Sequence, residues 1–176
     1  MDAESFVARL AHARIGDTFN FYGAGAGADE RRLRLRAYLE SRGGASVLLV
    51  GEAAGWRGAR LSGVPFTSER QLTGCGLAEA TATIVRRTLA ELAAEDDVLC
   101  WNVVPTHPHA PGRAESNRRP TAREVRDSLP FLFELAAERR VVAVGRLAQR
   151  ATGAPYVRHP SHGGAKEFRD ALRDLL

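Results

Sequence analysis

Four short strand-like runs alternating with helical patterns constrain this chain more than any other feature of it. The runs are Ser46–Val50, Val98–Val104, Val141–Val144 and Tyr156–Arg158. The first three are nearly continuous in apolar residues, the mark of a strand covered on both faces. Asp29–Ser41 reads as a helix with Leu33 and Ala37, and with them Leu35 and Leu39, facing inward. Thr81–Ala94 places Val85, Leu89 and Leu92 on one face. Thr121-Ala-Arg-Glu124 is a capping box. It opens a helix that should bury Val125, Leu129, Leu132 and Ala136, with Pro130 kinking it or removing one bond. Gly145–Ala151 is a short helix, and Gly164–Leu175 turns Phe168, Ala171, Leu172 and Leu175 inward. Strands that alternate with helices imply an α/β fold. The expected architecture is three layers, α/β/α, around a central, mainly parallel four-stranded sheet.

A length of 176 residues suits one domain spanning 1–176, in which 1–30 is a loosely structured N-terminal segment with a short helix at Ser5–Ala13. No apolar run is long enough to cross a bilayer. The start, Met1-Asp2-Ala3-Glu4, lacks the layout of a signal peptide. A cytoplasmic monomer is expected. Cys75 and Cys100 cannot form a four-cysteine zinc or iron–sulfur site. His107 and His109 have no cysteine or carboxylate at ligand spacing, so they are expected at the mouth of a pocket or in solvent, and neither metal nor cofactor is expected. The net charge of +4 is carried almost wholly by arginine, with Lys166 the one lysine. Guanidinium forks suit phosphate, but so mild an excess does not by itself establish nucleic-acid binding. The Gly23–Gly27 stretch has no strand before it and no acidic ribose partner after it, which argues against a dinucleotide site. A P-loop and a Gly-x-Ser-x-Gly elbow are both absent from the sequence.

In open parallel sheets the ligand binds beyond the carboxyl ends of the strands. That rule selects three segments. The first is Gly51-Glu-Ala-Ala-Gly55 with Trp56-Arg-Gly-Ala-Arg60 and Gly63-Val-Pro-Phe-Thr-Ser68; its 51–76 connection holds one helical turn capped by Thr67 or Ser68. The second is Trp101-Asn-Val-Val-Pro-Thr-His-Pro-His109. The third is Arg158-His-Pro-Ser-His-Gly-Gly164.

Taken together, in this order, the three segments resemble the uracil-DNA glycosylase superfamily over about residues 46–175. The run Asn117-Arg-Arg-Pro-Thr121 is similar to the superfamily's iron–sulfur branch, but the four cluster cysteines are missing. The resemblance is therefore to a cluster-free relative of that branch. It implies a DNA repair hydrolase that flips a uracil from DNA into a pocket, breaks its N-glycosidic bond and leaves an abasic site without cutting the strand.

The resemblance also implies roles. Gly51, Ala53 and Gly55 would shape the base pocket. Phe66 would stack on the uracil; as an isolated residue it could equally be a core side chain after Pro65. Asn102 would read the base, because a carboxamide offers an acceptor and a donor side by side for N3–H and O4; it could otherwise cap the following turn. His159 would hydrogen-bond uracil O2 as charge builds there, or cap the last helix. At the position where the best-known branch has an Asp stands Ala53, which cannot take a proton. Glu52 could orient water or counter positive charge on the sugar, or merely bond loop amides; Glu69 is a less apt substitute. Ser161, His162, Gly163 and Gly164 precede a helix and suit a phosphate. Arg57, Arg60 and Lys166 are further candidate DNA contacts. Gly163-Gly164 stands where the family often places an apolar wedge, which points to single-stranded or mismatched DNA. Two alternatives stay open: a glycosylase for hypoxanthine or xanthine, and a non-catalytic nucleic-acid-binding module.

Overall fold

A computed structural model describes residues 1–161 and 163–176. Among these, the strands are β1 (Val47–Ala53), β2 (Val98–Val104), β3 (Arg140–Val144) and β4 (Tyr156–Val157). The helices are α1 (Ala3–His12), α2 (Ala28–Ser41), α3 (Ala59–Ser62), α4 (Glu69–Thr73), α5 (Ala80–Glu91), α6 (Ala122–Ala136), α7 (Arg146–Thr152) and α8 (Ala165–Leu175). The strands form one sheet in the order β2-β1-β3-β4, and every neighbouring pair is parallel. Parallel neighbours need crossover connections, and helices supply them, so both faces of the sheet are covered. The expected α/β/α architecture is the observed one.

Side chains alternate across the pleat. Leu48, Val50, Leu99 and Trp101 point into one core with α1, α2, α6 and α7. Val47, Leu49, Cys100 and Val142 point into the other with α5 and α8. Trp101 is fully buried, and the Phe6 ring of α1 meets it edge-on at 5.5 Å. Burying a side chain of this size stabilises by about 1.5–3 kcal/mol. The short helix expected at Ser5–Ala13 is α1, which docks Phe6, Val7 and Leu10 into the first core.

Two helix faces differ from expectation. On α2, Leu35 and Leu39 are buried while Leu33 and Ala37 are exposed. Residues 33 and 35 lie on opposite sides of a helix, and the side facing the sheet also takes the Arg31 stem. Arg31 donates from Nε to the Phe21 carbonyl (2.7 Å) and from Nη2 to the Ala26 carbonyl (3.0 Å), which fastens the glycine-rich stretch. On α6 the buried stripe is Glu124, Ser128, Leu132 and Leu135, and the expected Val125, Leu129 and Ala136 are only partly buried. Glu124 is drawn inward by its ion pair with Arg118, which turns the helix by about one residue. Pro130 lies inside α6. Among the described residues no helix is long and apolar enough to cross a membrane.

Candidate active site

Because all strands run the same way, the segments after β1, β2 and β4 emerge at one edge of the sheet. β1 extends three residues past its apolar run, so Gly51, Glu52 and Ala53 belong to the strand rather than to the loop. The ladder pairs Gly51 with Asn102 and Ala53 with Val104. Gly51 follows Leu49 and Asn102 follows Cys100 on the face covered by α5 and α8. A Cβ on Gly51 would overlap the Phe66 ring and stand 2.9 Å from Asn102 Oδ1. The missing side chain is thus the space in which the ring and the carboxamide meet.

These residues open onto a cavity of about 490 Å³. Its lining includes Glu52, Ala53, Gly55, Phe66, Asn102, His159 and Ser161. Asn102 is only 5% exposed, yet its carboxamide makes no hydrogen bond to a described residue. The carboxamide faces the cavity, so it is available to a ligand rather than engaged in capping a turn.

Phe66 both packs in the second core and lines the cavity, so the two readings of it are compatible. Its φ of 50° lies in the left-handed region, a placement that costs about 1–3 kcal/mol for a bulky residue. Its neighbours hold it there. Ser62 Oγ donates to the Thr67 carbonyl (2.6 Å), Thr67 Oγ1 to the Pro65 carbonyl (3.1 Å) and the Tyr22 hydroxyl to the Gly63 carbonyl (2.9 Å). The α4 turn that follows is capped by Ser68 in a box with Gln71.

His159 Nδ1 lies 2.7 Å from Ser161 Oγ and accepts the Ser161 backbone N–H at 3.2 Å. A nitrogen that accepts an N–H carries no proton, so a neutral ring bears its proton on Nε2. The turn is tight: a Cβ on Gly164 would overlap the His159 carbonyl and sit 3.2 Å from the Ser161 carbonyl. Gly164 then caps α8 without a side-chain bond. Gly163 adopts a φ of 78°, and His162 lies outside the described residues.

The candidate cations separate. Arg57 is exposed and outside the cavity lining, its guanidinium 4.6 Å above the Trp56 ring. Arg60 turns toward Phe19, 5.8 Å from that ring, and Lys166 pairs with Asp170 at 2.7 Å on α8; neither lines the cavity. Glu69 is engaged by Arg34 at 2.8 Å, which removes it as a substitute carboxylate. Glu52 lies at the cavity wall with no hydrogen bond to its carboxylate from a described residue, so it does not tie down loop amides there.

His107 is neither at the mouth nor in solvent. It is fully buried, with Nδ1 2.9 Å from the Ala54 carbonyl and Nε2 3.2 Å from the Ala114 carbonyl. Burial holds its pKa below the ordinary histidine value. Its place between two loop carbonyls was hidden from sequence, where a His followed by Pro looks like a loop tip. Among the described residues no cluster of three or more His, Cys, Asp or Glu could hold a metal ion.

The cavity also contains residues given no site role from sequence: Glu79, Thr81, Pro108, Asn117 and Arg118. Asn117 Oδ1 accepts the Trp56 N–H at 3.0 Å, tying the second connection to the first. Arg118 forks onto Glu124 at 2.6 and 2.8 Å and donates from Nε to the His109 carbonyl at 2.9 Å. The run Asn117-Arg-Arg-Pro-Thr121 was the signal for these two.

The family model described as the uracil DNA glycosylase superfamily matches residues 40–176. The chain belongs to that superfamily. Among solved structures, SMUG2 of Pedobacter heparinus is similar, with a TM-score of 0.69 at 12% identity, over 99% of this chain and 97% of that one. UNG of Nitratifractor salsuginis aligns with a TM-score of 0.46 at 13% identity, over 97% of this chain and 94% of that one. No curated protein matches by sequence. The likeness to SMUG2 speaks for the fold, and the superfamily match speaks for a DNA glycosylase, a hydrolase whose partner is DNA.

Proposed function

We propose that this superfamily member hydrolyses the N-glycosidic bond of uracil in DNA and leaves an abasic site, acting as a cytoplasmic monomer. One observation carries the reading: Phe66, Asn102 and His159, from three separate connections, line one cavity, and the Asn102 carboxamide faces it without a hydrogen bond to any described residue. A planar base against the Phe66 ring would bring its edge to Asn102. The amide oxygen would accept N3–H and the amide nitrogen would donate to O4. Cytosine presents the reverse pattern and would leave both groups unpaired, a strong basis for rejection. The Nε2–H of a neutral His159 would donate to O2 as the leaving base gains charge, and Ser161 would hold the ring in that tautomer. Gly51, Ala53 and Gly55 would leave room for the base, and Glu52 would face the sugar. Ser161, Gly163 and Gly164 would meet the backbone phosphates at the start of α8, and Arg57 would be a further phosphate contact. With small residues at 163 and 164, unpaired or mismatched uracil is the preferred substrate.

Labelled oligonucleotides bearing uracil, hypoxanthine or xanthine, single-stranded and paired, test this. Alkali reveals abasic sites. Product at uracil that is lost in Asn102→Ala and His159→Ala is expected. Product only at a purine would transfer the activity to another deaminated base, and binding without product would leave a non-catalytic module.

A further inference from the structure

The cavity holds a second carboxylate that the sequence does not announce. Glu79 stands at the N-cap of α5, yet its side chain makes no capping hydrogen bond. Glutamate is not a favoured cap, and here the side chain reaches into the cavity wall instead. There it lies over the backbone of the first connection. A Cβ on Gly55 would stand 2.5 Å from Glu79 Oε1, and one on Gly58 would overlap Oε2. The two glycines thus form a cradle that any larger residue would fill with its own side chain.

The carboxylate is not balanced by its surroundings. It makes no ion pair or side-chain hydrogen bond with a described residue. The one arginine among the described lining residues, Arg118, is already engaged by Glu124. Burial pushes the Glu79 carboxyl above the usual carboxylate range. A structural carboxylate would be expected to have a partner. One that is partly buried, makes no bond to a described residue and opens to a cavity has the properties of a proton acceptor. Ala53 supplies none, and Glu52 stands near the carboxyl end of β1.

We propose that Glu79, held over Gly55 and Gly58, is the group that binds and deprotonates the attacking water. This rests on the glycosylase reading of the same cavity. The bond between C1′ and the base nitrogen breaks, and its electron pair leaves with the base. The water oxygen bonds to C1′ while one of its protons passes to the Glu79 carboxylate. That proton is later released to solvent, and the base anion takes one up, so water is the only co-reactant.

Single-turnover excision by Glu79→Gln tests the assignment, since this change keeps size and removes basicity. The rate should fall by about 10²-fold with the melting temperature unchanged, the usual scale for a positioned base. Glu79→Ala should lose as much and regain part of its rate in sodium formate but not in sodium chloride, because formate fits the vacated cradle. Glu52→Gln should lose less than Glu79→Gln. A Glu79→Gln rate within threefold of wild type, or a Glu79→Ala loss that formate does not lift, overturns the role of Glu79 alone. Wild-type protein that yields no abasic product from any deaminated base overturns the glycosylase reading itself.

Discussion

Gly51 and Asn102 are register partners across the β1–β2 ladder, and the place where a Gly51 side chain would stand is taken by the Phe66 ring. The pair couples the sheet to the cavity. Strand pairing fixes where the carboxamide points, and the vacancy beside it lets an aromatic ring from a different connection reach the same slot.

A methyl group at 51 should therefore injure the site out of proportion to its size. In Gly51→Ala the new Cβ must push the ring or the carboxamide away. Both belong to well-packed surroundings, so overpacking should cost about 1–3 kcal/mol. In a domain of this length that lowers the melting temperature by about 2–4 °C per kcal/mol. Excision should fall at least about tenfold, because the misplaced donor no longer meets the base. Calorimetry and single-turnover kinetics check both; unaltered excision would show that the slot does not take the base.

Gly164 makes the same argument at the opposite wall. Its φ of −82° suits any residue, so only space forbids a side chain there. Gly164→Ala should open the turn, move the His159 carbonyl and spoil the Ser161–His159 contact. Ser161→Ala removes the hydroxyl partner of Nδ1 without crowding. Both variants should depress kcat more than they raise KM, as befits a donor that acts on developing charge. A rise in KM alone would assign this turn to DNA binding.

Legibility in the sequence followed physical scale. β2 matches its apolar run residue for residue, because a strand buried on both faces advertises itself by composition. β1 was read three residues short, because Gly51, Glu52 and Ala53 join the ladder without adding an apolar signal. The register that sets Gly51 opposite Asn102 depends on two strands at once and is not written in either. Phe66, Asn102 and His159 were legible as a set because each follows a strand end, where parallel sheets collect their sites. Glu79 was not. A glutamate before a helix reads as surface charge, and only folding the chain back over Gly55 and Gly58 reveals it as partly buried at the cavity. Leu33 and Leu35 cannot share a face, and the reading that set Leu33 and Ala37 inward is corrected by the burial of Leu35 and Leu39.

The Arg118–Glu124 pair ties the cavity rim to stability at low pH. Glu124 is 1% exposed, and the guanidinium that forks onto it holds its carboxyl down at about 2, against an ordinary value of 4.5. The Thr121 N–H adds a bond at 2.8 Å through the capping box. A carboxyl depressed in the folded state binds protons more readily once unfolded. Its contribution is therefore complete above about pH 4.5 and is lost as the pH falls toward 2. The drop is worth about 3 kcal/mol. Urea unfolding of wild type and Glu124→Gln should differ by about that much at pH 7, and the gap should close progressively below pH 4.5. Arg118→Ala should be costlier than Glu124→Gln at pH 7, because it strands a buried charge, and should recover in acid as Glu124 takes up a proton. A wild-type-to-Gln difference that is the same at pH 7 and near pH 2 would mean that Glu124 stabilises by shape rather than by charge.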